Sequence, residues 1–128
     1  LIPQLDRLRQ VGDELDTQDP AARRQALEGV ARFLEEEIVP HETHDETEIY
    51  PRMTEVLPGE DPLATMSRAH REIFHLVELF QRQVADLPTA GPEPADVRDL
   101  RRTLYGLHAI LRLHFDQEEE LYASLEMS

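Results

Sequence analysis

Cysteine is absent from all 128 residues, which excludes a disulfide framework, a thiol nucleophile and any Cys-based zinc site. The same absence suits a reducing compartment, and a cytoplasmic location is the expectation. Basic residues are few: 13 Lys+Arg stand against 27 Asp+Glu, for a net charge of −14. Nucleic acid and anionic membrane surfaces both need a basic face, so neither is expected as a partner. No apolar run approaches the roughly 20 residues needed to span a bilayer, and no signal-like segment is present. Strict alternation of apolar and polar residues is missing too, which leaves no case for a sheet.

What remains is 40% apolar and 31% charged, enough for one globular domain over residues 1–128 with a single core. The chain begins at Leu1, in mid-pattern, so further residues are expected ahead of it. Four amphipathic stretches follow one another. Ile2, Leu5, Leu8, Val11 and Leu15 recur at helical spacing over residues 1–16. Asp19 as N-cap and Pro20 at the first helical position open a second helix. It carries Ala22, Ala26, Val30, Phe33, Leu34 and Ile38 on its stripe and is expected to kink at Pro40. Leu57-Pro58-Gly59-Glu60-Asp61-Pro62 reads as a turn. A third helix runs from about Pro62 to Leu87, a proline-rich loop follows, and a fourth helix starts near Ala95. Short loops between four such helices predict an all-α, up-down-up-down bundle.

Two stretches carry chemistry. His41, His44, Asp45 and Glu48 fall within eight residues, and at about 100° per residue the last three lie roughly −60°, +40° and −20° from His41. Near the other end, His114 is followed by Glu118 at the same four-residue interval. Two His-x-x-x-acid pairs on separate helices are the arrangement by which bundles build di-metal carboxylate centres. Imidazole with carboxylate suits iron, manganese or zinc. One such pair alone is commonplace on a solvated acidic helix; two on facing helices are much less so. Glu46 is the alternative to Asp45, and His44 with Glu48 is a competing pair that otherwise supports the ligands by hydrogen bonds. His70 shares a face with Met66, Ile73 and Phe74, where a buried imidazole needs either a hydrogen bond or a metal. His75 points away from His70 and reads as a surface or inter-helix residue. His108 points about 120° from His114 and reads as a supporting residue, with Tyr105 beside it. Tyr50, Tyr105 and Tyr122 are packing groups, phenol donors or, at the limit, a ligand.

At these residues the sequence resembles the hemerythrin-like, HHE cation-binding family. The shared motifs are His41 to Asp45 or Glu46 with Ile49-Tyr50-Pro51, then His70, then His114 to Glu118 with Leu121-Tyr122. The resemblance implies a hemerythrin-like four-helix bundle holding two non-haem iron ions, bridged by carboxylates and an oxo or hydroxo group, with zinc or manganese as substitutes. It implies His41, His70 and His114 as terminal ligands, Asp45 (or Glu46) and Glu118 as bridges, and dioxygen or peroxide as the small ligand. Three features depart from the family pattern. Residues 1–16 hold no His, so the family's first-helix His is expected either upstream of Leu1 or replaced by Gln4; Phe74 stands four after His70; and Asp45 is a methylene shorter than Glu. With the shorter arm, Glu46 or Glu42 becomes the alternative bridge. Together these point away from a simple oxygen carrier and towards a more oxygen-rich or asymmetric ligand set. The readings are a sensor or store of an oxidant, a peroxide-decomposing enzyme at the same centre, and a metal-free helical interaction module.

Overall fold

The computed structural model describes residues 2–17, 19–56 and 63–127, and among these every regular element is helical. Helix α1 spans Ile2–Glu14, and a long helical run from Pro20 to Val56 follows. Helix α5 spans Ala64–Ala85 and α6 spans Pro94–Met127. The expected turn at residues 57–62 lies outside the described residues.

The long run is α2 (Pro20–Phe33), α3 (Val39–His44) and α4 (Tyr50–Val56), joined by two wide π-helical turns at Leu34–Ile38 and Asp45–Ile49. Asp19 caps its start, accepting from the Ala22 amide at 2.9 Å. Both wide turns stand immediately ahead of a proline. Proline has no amide hydrogen and its ring crowds the carbonyl one turn back. In the first turn the Val39 amide reaches back five residues to the Leu34 carbonyl, and Pro40 follows. In the second, Tyr50 reaches Asp45, and Pro51 follows. The proline strain anticipated at residue 40 is thus taken up in the backbone by an inserted residue, and the same device recurs at residue 51.

The insertions set which side chains face inward. Buried positions in this run are Leu27, Val30, Leu34, Ile38, Glu42, Asp45, Tyr50 and Met53. The five-residue step from Asp45 to Tyr50 would rotate a regular helix by about 140°; the wide turn lets Tyr50 return to the core.

Antiparallel packing is pinned by pairs along the bundle. Asp6 of α1 meets His108 and Arg112 of α6, and Asp16 meets Arg101 at 2.9 Å. Arg101 also donates to the Gly12 carbonyl at 2.8 Å, where α1 and the Tyr105 ring come so close that a Cβ on Gly12 would lie 2.8 Å from it. One apolar core from Leu5, Leu8, Leu27, Leu34, Ile73, Phe80, Leu104 and Leu111 fills the bundle. A smaller cluster of Tyr50, Met53, Leu63 and Met66 closes the end beyond the polar site.

Candidate metal centre

Among the described residues, six side chains that would ordinarily seek water are buried: Glu42, Asp45, His70, Thr103, His114 and Glu118. Five of them converge on one place, delivered by three segments. Glu42 comes from α3 and Asp45 from the first residue of the second wide turn, His70 from α5, and His114 with Glu118 from one turn of α6. Glu42 continues the stripe of Leu34 and Ile38 at four-residue spacing, so burial of that stripe takes its carboxylate inward. His41, half exposed at the rim, joins them.

The donor atoms form two groups. In the first, Nε2 of His70 and Nε2 of His114 lie 2.9 Å apart. Oε2 of Glu42 contacts both, at 2.9 Å from His114. Oε1 of Glu118 is 3.0 Å from His114 and 3.9 Å from His70. In the second, Nε2 of His41 faces Oδ2 of Asp45 at 3.3 Å and Oε2 of Glu118 at 3.9 Å. Glu118 therefore presents one carboxylate oxygen to each group. Within each group the ligand atoms lie within 4.8 Å of one another.

These separations fit a bound cation. Donors about 2.1 Å from an ion stand roughly 3.0 Å apart when adjacent and 4.2 Å apart when opposite. Hydrogen bonds do not account for the set. Nε2 of His41, Oε1 of Glu42, Oδ2 of Asp45 and Nδ1 of His114 are buried without a hydrogen-bond partner, a cost of about 1–3 kcal/mol each in a folded protein. Burial of three carboxylates beside three imidazoles is itself expensive unless opposite charge lies between them. The donor set of imidazoles and carboxylates, without thiolate, suits iron, manganese or zinc.

Supporting residues orient the ligands. Nδ1 of His70 donates to Oε2 of Glu46 at 2.8 Å, which fixes the tautomer that leaves the Nε2 lone pair facing the site. Ser67 donates to the same Glu46 oxygen at 3.1 Å. The Tyr50 hydroxyl donates to Oε1 of Glu118 at 2.6 Å, and its ring stacks on His70 at 5.1 Å. Phe115 lies against His41 and His114, with ring centroids at 5.2 and 5.9 Å.

The charges couple tightly. Burial disfavours ionisation of Glu118, but His114, His41, His70 and Tyr50 overturn that and hold its carboxyl far below the usual range. Glu42 is lowered in the same way, against its own burial, by His114 and His70. Burial would depress His70 and His114, yet Glu118 and Glu42 lift them to about 10 and about 9. Asp45 moves the other way: burial and then the neighbouring Glu118 push it up to about 7. Contact with Glu118 raises His41, with burial opposing. Burial first, and donation to Glu118 second, raise the Tyr50 phenol well above its ordinary value. Without a metal, protons shared among acids and imidazoles take the cation's place.

Of the residues expected from the sequence, His41, Asp45, His70, His114 and Glu118 are brought together. Glu46 is not among the converging donors: it stands behind His70, with a side chain 41% exposed. Glu42 takes the inward position, and its signal was its place four residues after Ile38. His44 is exposed, and Glu48 lies in a solvent-facing pair with Arg52. His108 binds Asp6 on α1, and Tyr105 donates to Asp13, so both tie helices together at the surface and neither supports the centre. Gln4 is exposed on α1, and His75 is exposed on α5, as expected.

A sequence model of one family, the hemerythrin HHE cation-binding domain, matches residues 1–125. Searches of curated proteins and of solved structures gave no match.

Proposed function

We propose, from the premise that this chain belongs to the hemerythrin HHE cation-binding domain family, that it is a non-haem di-iron protein that binds dioxygen or a related small oxidant as a sensor or store. One observation carries the reading: Glu118 turns one oxygen towards Glu42, His70 and His114 and the other towards His41 and Asp45. A carboxylate placed so would serve two ions at once. Glu42, His70 and His114 would hold the inner ion, and His41 with Asp45 the outer one.

When bound, an iron pair supplies reversible binding of a small oxidant at an open coordination position. The chain supplies the rest. Glu46 holds His70 in the ligating tautomer, and Tyr50 holds Glu118 in place. Phe115 lays an apolar ring against His41 and His114. His41, with a side chain 36% exposed, marks the side from which a small molecule reaches the site.

Anaerobic loading of the metal-free protein with ferrous iron, followed by cycles of dioxygen and its removal, tests this. The expected result is an optical change that reverses on deoxygenation. Irreversible oxidation after one exposure would remove the store reading.

A second reading, peroxide decomposition at the same centre, is favoured by the outer group's three donors, one of them half exposed. An ion held by so few protein ligands keeps open positions for an oxidant. Adding peroxide to the iron-loaded protein and following oxygen release decides it: catalytic evolution supports the enzyme, and no turnover sinks it.

A further inference from the structure

Met66 lies in the small apolar cluster that closes the polar end of the bundle, packed with Tyr50, Met53 and Leu63. It stands one turn ahead of His70 on the buried face of α5. Two supports of the metal centre meet at this residue. Tyr50, its partner in the cluster, donates to Glu118 at 2.6 Å and stacks its ring on His70. Ser67, next in the chain, donates at 3.1 Å to the Glu46 oxygen that fixes the His70 ring. Met66 is only 5% exposed, yet it floors a surface groove of about 310 Å³ between Thr65 on α5 and Gln117, Glu120 and Leu121 on α6. Met53 belongs to the same cluster but does not line that groove. A thioether takes an oxygen atom from peroxide directly, and the product is polar where the parent side chain is apolar.

We propose that Met66 is a site of oxidative modification that tunes the metal centre: hydrogen peroxide entering the groove converts its thioether to the sulfoxide, and the site loosens. The sulfur attacks one peroxide oxygen. The S–O bond forms, the O–O bond breaks, and the departing hydroxide takes the proton of the attacked oxygen and leaves as water. Sulfur loses two electrons and the peroxide gains them, so the step needs no metal and no further reductant. A sulfoxide oxygen buried in an apolar cluster is costly without a donor. The cluster therefore rearranges, and Tyr50 and Ser67 loosen their hold on Glu118 and Glu46. This inference deepens the reading of the chain as an oxidant-responsive metal protein and rests on it, because the loosened site is read as weaker metal binding.

Metal-free protein is exposed to hydrogen peroxide and the peroxide is then removed. Methionine oxidation is mapped by peptide mass spectrometry, and zinc, which has no redox chemistry of its own, is titrated against a chelator. The expected result is that Met66 gains one oxygen before Met53, and that zinc affinity falls about 10-fold or more in step with it. Met66→Leu, a swap that conserves apolar volume, keeps its affinity through the same exposure. The order of oxidation is read on the unaltered chain, so the test holds even if Met66→Leu folds poorly. Oxidation of Met53 first, full oxidation of Met66 with affinity unchanged, or an equal loss in Met66→Leu overturns the proposal and leaves the metal-binding reading standing. A chain that binds neither zinc nor ferrous iron before peroxide overturns both.

Discussion

Glu46 shows how one residue's role depends on where its neighbour's ring turns. The sequence places it one step round from Asp45 as a rival ligand, and that rivalry is not decidable from spacing alone. In the folded chain it accepts from the far nitrogen of His70 instead, as carboxylates behind metal-bound histidines commonly do. Glu46→Ala is expected to weaken metal binding by roughly 10- to 100-fold. Glu46→Gln keeps an acceptor oxygen and is expected to recover most of that loss, as competition titration against a chelator would show. Equal losses in both variants would mean the residue acts by charge at a distance and not by holding the ring. Glu42 enters the sequence reading only as an alternative bridge beside Glu46, and the fold puts it among the buried donors. Its place on the apolar stripe of Leu34 and Ile38 was the readable signal, but a buried acid on such a stripe is worth predicting only when a cation waits inside.

At the scale of elements, the four helices were legible because their stripes are plain and their ends are marked, by Asp19-Pro20 and by the loop after Leu87. Less legible was how the second helix treats its prolines. Proline predicts a lost hydrogen bond, and that is what occurs, but nothing in the residue dictates that the loss is absorbed by a wide turn. That choice follows from packing: Glu42, Asp45 and Tyr50 all have to face one pocket, and one extra residue before Pro51 is what allows it. The α5–α6 loop has a firmer requirement. Gly91 has φ +105°, and a Cβ there would lie 2.7 Å from Cβ of Pro20. Gly91→Ala is expected to cost about 1–2 kcal/mol from the backbone alone, and more from the contact with the start of α2. Urea denaturation of the metal-free protein would measure it, and a loss below half a kcal/mol would show that the loop relaxes freely.

For the whole molecule, the core and the metal site are coupled, since the ligands bridge the long second run, α5 and α6. An ion that binds only the folded chain stabilises it by about 2.7 kcal/mol at 100 times its dissociation constant. Chelation is therefore expected to lower the melting temperature. The size of that effect should depend on pH, with a definite sign. His70 and His114, raised to about 10 and about 9, stabilise the metal-free fold fully below the ordinary histidine value and lose that contribution as pH rises through 9 to 10. Asp45, raised to about 7, also weakens the metal-free fold as pH climbs from the ordinary aspartate value towards 7. A metal replaces these protons, so its affinity grows as they leave. The gain in melting temperature on loading is expected to be larger at about pH 9 than at about pH 6. A gain that shrinks over that range would contradict the proton-for-metal exchange. Sequence spacing brought three histidines and two acids to the centre of a bundle, but their division into two groups around one carboxylate depends on side-chain directions that spacing does not carry.

That division is tested most directly by counting iron. Metal-free protein titrated with ferrous iron under nitrogen is expected to take up two equivalents per chain, His41→Ala one, and Glu118→Ala less than one. A wild-type chain that saturates at one equivalent, with His41→Ala unchanged, would contradict the account of Glu118 as the carboxylate shared between two ions.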